Sequence, residues 1–266
     1  MDWNTVVSYM PELVGKIKED YIVKNDVIRD DIFKILEKHG VVIYYPLEDE
    51  ENCGFHKKRM VNGKLVDFVY INTAKPLPKQ VFTAAHELGH IWNVSGKISD
   101  MLGGADVTSS EEQIVNRFAA ELLMPRDNFR RTFWNHITET RDDHQSVRTD
   151  ELVRVMVMLM DDYMVPYESV RKRMIELEIV SEKDASQLRA SEGNINELIK
   201  AFSNDLNTTL DTSTQKRTIT GLRDQIEKKS RKAEVSPYLI KRLLKDFQII
   251  STSPSESTIE LESGEE

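Results

Sequence analysis

The segment Thr83–His90 constrains the fold more than any other part of this 266-residue sequence. It reads T-A-A-H-E-L-G-H, so that His86 and His90 are four positions apart. Residues four apart lie on the same face of an α-helix, one turn above each other. At about 100° per residue, apolar side chains such as Leu88 fall on the opposite face. The sequence therefore predicts a helix over residues 78–94 that packs one face and lines a cleft with the other.

Two imidazoles one helical turn apart can share one metal ion, and this donor pair suits zinc. A catalytic zinc site takes three protein ligands, so a third ligand is required. Glu112 and Glu111 are the candidates, because both stand at the start of the next predicted helix. Helical projection places Glu111 nearer the apolar face of that helix, so spacing alone does not select Glu112. Asn116, one turn after Glu112, is placed to hydrogen-bond a ligand.

We also predict roles for Glu87 and Gly89 in the same helix. In an H-E-x-x-H helix the glutamate is the general base, and Glu87 projects about 100° from His86, near enough to reach a water on a shared metal. Gly89 costs about 1 kcal/mol in a helix interior, so we expect it to permit the close approach of a neighbouring element. A merely tolerated glycine is the alternative.

The rest of the N-terminal half predicts a small sheet among helices. β-branched and aromatic residues indicate strands over Val41–Leu47 and Leu65–Ile71, and Asn62-Gly63 is a strong hairpin signal. We therefore expect a small antiparallel sheet. Apolar spacing and capping residues predict further helices, of which the first is split or kinked by Pro11 and the last is opened by a capping box at Ser110, over residues 3–17, 28–39 and 110–125.

Beyond Pro125 the pattern is helical throughout, so the fold class is α+β with a mostly helical C-terminal half. Leu152–Met160 is apolar on nearly every side, which predicts a buried helix. Composition predicts a Ser/Thr-rich linker near residues 203–220. Four regions follow, namely an N-terminal helical segment (1–24), the domain with the metal pattern (25–180), a helical C-terminal region of unassigned role (181–250) and an acidic disordered tail (251–266).

Charge is segregated along the chain. The formal net charge is −9, and the last sixteen residues contribute five glutamates to it. Residues 216–245 hold ten Lys or Arg against three acidic residues, a local excess of about +7. Such a stretch could contact the phosphates of DNA, but a solvated helical face is the commoner explanation.

Cysteine and hydropathy patterns bear on location. Cys53 is the only cysteine, which excludes an internal disulfide, and neither a leader nor about 18 consecutive apolar residues are found. We therefore expect a cytoplasmic protein without membrane insertion. His39, His56, His136 and His144 lack ligand spacing and are expected to be ordinary surface residues, although one of them could stabilise an oxyanion.

Three stretches resemble the ImmA/IrrE-type metallopeptidases. The first is Phe82–Trp92, F-T-A-A-H-E-L-G-H-I-W. The second, Glu112–Pro125, is similar to the family signature E-x-x-x-N-x-F-A-x-x-L-L-M-P. The third, Val165–Val170, is similar to a V-S-Y-x-x-V segment that continues to R-L, although Pro166 and Met174 depart from the family's Ser and Leu.

The resemblance covers about residues 25–180 and implies a zincin-like metallopeptidase core. It implies that Glu112 completes a zinc site with His86 and His90, and that Glu87 is the catalytic base. With a distant glutamate as third ligand, the site would be of the gluzincin type.

Family members are typically encoded beside helix-turn-helix repressors of phages and integrative elements, which they inactivate by cleavage. The resemblance therefore implies an intracellular zinc endopeptidase whose substrate and partner is such a repressor, a separate protein because no such domain is evident before Val41. The alternative is a zinc-containing regulatory protein that binds a repressor or DNA without efficient proteolysis. We expect an extended substrate to add along Leu65–Ile71 as an edge strand. The sequence names neither the cleaved bond nor an oligomeric state.

Overall fold

The computed structural model describes residues 3–21, 23–49, 51–140, 147–191, 193–232 and 234–249. Within these ranges the chain is a mixed α+β protein, as predicted. Its strands are β1 (Val41–Tyr45), β2 (Gly54–Val61), β3 (Lys64–Asn72) and β4 (Thr218–Ile219). Its α-helices are α1 (Trp3–Asp20), α2 (Ile32–His39), α3 (Leu77–Ile91), α4 (Val94–Met101), α5 (Glu111–Leu123), α6 (Arg126–Thr140), α7 (Thr149–Tyr163), α8 (Tyr167–Glu176), α9 (Glu182–Gln187), α10 (Ile195–Asp205), α11 (Leu222–Arg231) and α12 (Pro237–Asp246).

The four strands form one sheet in the order β2-β3-β1-β4. β2 and β3 make the predicted antiparallel hairpin, with Asn62 and Gly63 at positive φ in its two-residue turn. β1 instead runs parallel to β3, with Val41 opposite Phe68, and β4 adds antiparallel to β1. The sheet is therefore mixed and not wholly antiparallel, because the hairpin places β3, and not β2, beside β1.

This strand order corrects the expectation for the sheet edge. β3 contains Leu65–Ile71 and is hydrogen-bonded on both sides, to β2 and to β1. From Phe68 to Ile71 its backbone groups are paired on both sides, so an extended substrate cannot add along that part of the strand. Of the described strands, β2 forms the edge on this side of the sheet.

The helices largely follow the predicted periodicity. α1 continues through Pro11 as one helix and buries apolar residues such as Met10 and Ile17. α7 is a core helix, as its apolar sequence predicts, with Val153, Val155, Met156, Val157 and Leu159 fully buried. No helix in the described part of the chain is both long and apolar enough to cross a membrane.

Helix α3, which carries His86 and His90, ends earlier than predicted. Pro78 occupies its first turn, where a missing backbone N–H removes no helical hydrogen bond. The helix ends at Ile91, and Asn93 in a left-handed conformation (φ 51°) redirects the chain into α4. The sequence did not predict α4, because its apolar positions continue the spacing of α3.

The segment predicted as a linker near residues 203–220 lies against the sheet. The backbone N–H of Leu77, where α3 begins, donates to Thr212 O at 2.9 Å. Thr214 Oγ1 donates to Gln80 Oε1 at 2.9 Å, and Thr73 Oγ1 donates to Lys216 O at 2.7 Å. The backbone of Thr212 and the side chain of Thr214 thus hold the start of α3, and the segment ends in β4. The predicted tail, 251–266, lies outside the described residues, and the predicted domain boundaries stay an expectation.

Candidate metal centre

α3 presents its two histidines on a face away from its packed side. Leu88 is fully buried, whereas the side chains of His86 and His90 each keep 16% of their surface exposed. The Nε2 atoms of the two rings lie 3.2 Å apart. The spacing of four residues has therefore brought two imidazole nitrogens to one point, as predicted.

Gly89 lets α5 approach α3 closely. A Cβ atom at this position would lie 2.8 Å from Val115 Cγ1 and 3.1 Å from Phe118 Cδ1. Both distances are shorter than ordinary van der Waals contact, so a side chain here would push α5 away. The expectation that Gly89 permits a close approach is confirmed, and α5 begins beside the histidines as a result.

Glu112 is the carboxylate that meets both Nε2 atoms. Its Oε2 lies 3.3 Å from His86 Nε2 and its Oε1 lies 3.4 Å from His90 Nε2. One ligand atom from each of the three residues lies within 4.8 Å of the others, so that the group could hold a metal ion. Glu111 stands on the outer side, with Oε1 3.3 Å from His90 Nδ1. The geometry therefore separates two glutamates that helical projection could not.

The start of α5 differs from its prediction in one detail. Ser110 precedes the helix but makes no side-chain capping hydrogen bond, so the predicted capping box is absent. Glu111 and Glu112 occupy the first turn, where the helix dipole favours negative charge. The first turn therefore carries the two carboxylates that face the histidines.

The outer nitrogens of the two rings are held by oxygen atoms. Asn116 Oδ1 lies 3.1 Å from His86 Nδ1, and Glu111 Oε1 takes the equivalent place at His90. Because these oxygens accept, the contacts favour the tautomer that carries its proton on Nδ1 and offers the lone pair of Nε2. Two such lone pairs and a carboxylate at one point fit a divalent ion of the zinc type.

Glu87 is a buried carboxyl group beside this cluster, with 5% of its surface exposed. Burial raises the pKa of Glu87 to about 7, and the nearby Glu112 carboxylate contributes to the rise. Burial and the neighbouring His90 lower the pKa of His86, which favours the neutral imidazole that a metal requires. A cation between two carboxylates and two neutral imidazoles would relieve the repulsion of the carboxylates.

The edge strand β2 forms a wall beside α3. A Cβ atom at Gly54 would lie 2.6 Å from Thr83 Cγ2, so only glycine allows this approach. Two residues further along, the ring of His56 stacks towards His90 with centroids 6.3 Å apart. His56 Nε2 also lies 2.6 Å from Asp67 Oδ1 on the neighbouring strand β3. This contact restrains the orientation of the His56 ring.

Sequence reasoning missed the pairing of His56 with Asp67, although the hairpin signal could have found it. A two-residue turn at Asn62-Gly63 sets the register of the strands and places His56 opposite Val69. Asp67 is two residues from Val69 and therefore on the same face of the sheet. His56 is thus a side chain of the cleft and not an ordinary surface histidine.

The remaining histidines lie apart from the cluster or beyond the described residues. His39 packs edge-on against Trp92 at the end of α2. His136 forms a hydrogen bond of 2.6 Å with Asp162 between α6 and α7. His144 lies outside the described residues.

Comparison with known proteins agrees with these features. The family model of the IrrE N-terminal-like domain, Peptidase_M78, matches residues 36–174. This range is more than half of the chain and includes every residue of the candidate centre. No curated protein matches the chain. The chain belongs to the IrrE N-terminal-like family of peptidases, which supports a metallopeptidase-type function and confirms the resemblance predicted from its sequence.

Proposed function

We propose that this chain is a zinc-dependent endopeptidase in which His86, His90 and Glu112 hold the zinc ion. The observation that carries the proposal is the convergence of two Nε2 atoms, 3.2 Å apart, on the two carboxylate oxygens of Glu112. Catalytic zinc takes three protein ligands of this kind and keeps a further position for water or substrate. Two histidines of an H-E-x-x-H helix and a distant glutamate make this a gluzincin-type site.

Each residue around the proposed zinc ion has a separate role in hydrolysis. A zinc ion held there would supply Lewis-acid chemistry, activating water near neutral pH and polarising a carbonyl. Glu87 takes the proton of the attacking water and delivers it to the leaving amine. Asn116 and Glu111 hold the two imidazole rings in the orientation that the ion needs. Hydrolysis by this route requires no covalent bond between enzyme and substrate.

The substrate lies in extended form along β2. A free strand edge holds a peptide by main-chain hydrogen bonds and demands little of its sequence. β2 suits this role because Gly54 and His56 bring it against α3 beside the ligands. His56, whose ring Asp67 restrains, contacts the substrate carbonyl oxygen from this wall.

The physiological substrate is a helix-turn-helix repressor in the cytoplasm, encoded separately from this chain. The similarity to ImmA/IrrE-type proteins supports this choice, because members of that family cleave such repressors. A zinc peptidase with a general edge-strand site would obtain its selectivity by docking a folded partner. Fragmentation of a repressor encoded beside this chain, in the presence of zinc, tests the choice directly.

Replacing the proposed base separates chemistry from metal binding. We expect Glu87→Gln to retain its zinc but to lose cleavage by about 10²- to 10⁴-fold, because general-base catalysis contributes that much. Zinc content is measured by elemental mass spectrometry, and cleavage is measured on a neighbouring repressor and on a proteome-derived peptide library. Glu197→Gln, an exposed substitution on α10, is the matched control and should behave as wild type. Cleavage by Glu87→Gln at the wild-type rate would overturn the assignment.

One observation favours the alternative, a protein that binds a repressor or DNA without efficient proteolysis. Neither α11 nor α12 buries any of its described side chains, and both lie in the basic stretch 216–245. Deleting that stretch is a poor test, because it removes β4. Replacing Lys228, Arg231 and Lys241 with glutamine leaves the sheet intact. A salt-dependent DNA mobility shift that the triple variant loses would support the alternative.

A further inference from the structure

A groove between α5 and α8 lies beside the three candidate ligands and contains none of them. Its volume is about 320 Å³. Asn116 and Arg117 of α5 and Lys172 of α8 line it, and Phe82 and Trp3 provide aromatic walls. The groove therefore combines basic groups with apolar surface, as a site for part of a peptide would.

The groove continues the candidate metal centre. Asn116 lines it and also accepts the hydrogen bond from His86 Nδ1. Arg117 is five residues after Glu112, which is about 7.5 Å along the axis of α5 at 1.5 Å per residue. An extended peptide advances about 3.3 Å per residue. A side chain two or three residues from the cleaved bond would thus reach Arg117.

Two buried arginines share one carboxylate oxygen beneath the groove. Arg117 Nη2 and Arg173 Nη2 both donate to Glu121 Oε2, at 3.0 and 2.7 Å. Arg173 is fully buried and also donates from Nε to Met124 O at 3.0 Å. The buried part of the cluster therefore carries two positive charges and one negative charge. Glu176, whose side chain is 30% exposed, is the second carboxylate near them.

Arg117 is the member of this cluster with unused donors. It is 4% exposed, and neither Nε nor Nη1 has a hydrogen-bond acceptor among the described residues. Glu176 Oε2 lies 3.3 Å from Nη1 as an ion pair but without hydrogen-bond geometry. Burial, and next the charge of Arg173, lower the pKa of Arg117. A buried guanidinium whose Nε and Nη1 lack acceptors is costly, and an anionic group in the groove would offset its positive charge.

The charges at the mouth of the groove favour an anionic ligand. Glu168 is engaged by Arg171 Nε at 2.7 Å, and Glu176 is shared between the two buried arginines. Lys172 is exposed at the mouth and has no ion pair with any described residue. A carboxylate that approaches the groove therefore meets an unpaired ammonium first and an under-satisfied guanidinium behind it.

We propose that this groove is a subsite that binds an acidic side chain of the substrate, Asp or Glu, within about three residues of the cleaved bond. The inference rests on the proposed peptidase function. The carboxylate pairs with the ammonium of Lys172, the positive charge of Arg117 behind it strengthens the attraction, and the methylene groups of the side chain contact Phe82 and Trp3. The site accordingly selects sequence, which main-chain pairing on β2 does not.

Cleavage-site profiling tests the subsite. The full-length zinc-loaded protein digests a proteome-derived peptide library, and mass spectrometry of the products gives the residue preference at each position. A peptide pair is then made from the best site, with Glu or Gln at the preferred position. We expect the Glu peptide to be cleaved at least about tenfold faster, as for a charge-assisted hydrogen bond to a carboxylate. Both Arg117→Gln and Lys172→Glu should reduce this ratio towards one.

A second variant is needed because the buried substitution Arg117→Gln can prevent folding. Lys172 is exposed, so Lys172→Glu reports on the groove even when Arg117→Gln cannot be purified. Lys183→Glu, an equal charge change on exposed α9, should keep the wild-type ratio. Cleavage without acidic preference, or a preference that survives in the folded variants, would overturn the subsite and leave the peptidase assignment standing. If the wild-type protein cleaves no peptide or repressor, the proposed function fails and the subsite fails with it.

Discussion

At the scale of single residues, the two glutamates at the start of α5 have different environments. Glu112 faces the pair of Nε2 atoms, whereas Glu111 faces Nδ1 of His90. A carboxylate at Nε2 can share a metal with the imidazoles, but one at Nδ1 can only orient a ring. We therefore assign Glu112 as a metal ligand and Glu111 as the residue that orients the ring of His90.

Single substitutions of these glutamates test that division. We expect Glu112→Gln to weaken zinc binding by more than about 100-fold, since it removes a charged ligand, and Glu111→Gln to weaken it by about tenfold, as loss of an orienting partner does. Affinity is measured by competition with a chromophoric chelator. A larger loss in Glu111→Gln than in Glu112→Gln would mean that the third ligand is wrongly assigned.

His56 lies on β2, and we propose that it contacts the substrate carbonyl oxygen. We expect His56→Gln to lower kcat by about 10²-fold with little change in KM or zinc content, because it acts on the reacting carbonyl and not on the ground state. Asp67→Asn should cause part of this loss, since Asp67 holds the ring at 2.6 Å. Steady-state kinetics on one peptide measure both. An unaltered kcat in His56→Gln would exclude contact with the reacting group.

At the scale of elements, the packing of α3 against α5 assembles the centre. The three candidate ligands come from these two helices, and Gly89 sets how closely they approach. Apolar spacing predicted both helices, because each has one buried face. Spacing did not predict their mutual rotation, which depends on the contact of Val115 and Phe118 with a glycine 26 or more residues away. That rotation is what selects Glu112 over Glu111.

Adding one methyl group at this contact tests the argument. We expect Gly89→Ala to lower the free energy of unfolding by up to about 2 kcal/mol, since overpacking costs about 1–3 kcal/mol and helix propensity returns about 1 kcal/mol. Gly15→Ala in α1 is the control, because nothing lies within 4 Å of its added Cβ. It should raise the free energy of unfolding. Urea unfolding measures both, and equal stabilisation by the two variants would contradict the close approach.

At the scale of the whole molecule, local patterns predicted more than distant contacts did. The hairpin, α3, α5 and the buried α7 follow from turn residues and periodicity within each segment. The parallel pairing of β1 with β3 and the packing of residues 212–219 against the sheet involve contacts between segments far apart in sequence. The groove likewise depends on Arg117 and Arg173 meeting at Glu121, and no spacing rule reports such a contact. The pair of candidate histidine ligands could be predicted from its spacing of four residues, whereas the proposed subsite could not.

The proposed peptidase depends on one zinc ion held by two histidines and a carboxylate. X-ray absorption spectroscopy of the full-length protein, together with its zinc content, measures this directly. We expect about one zinc per chain, with nitrogen ligands at about 2.0–2.1 Å, oxygen ligands at about 2.0–2.2 Å and no sulfur. Removal of the zinc should lower the melting temperature, since an ion that binds only the folded state stabilises it. Zinc absent from the wild-type protein, or a sulfur ligand that implicates Cys53, would contradict this set of ligands.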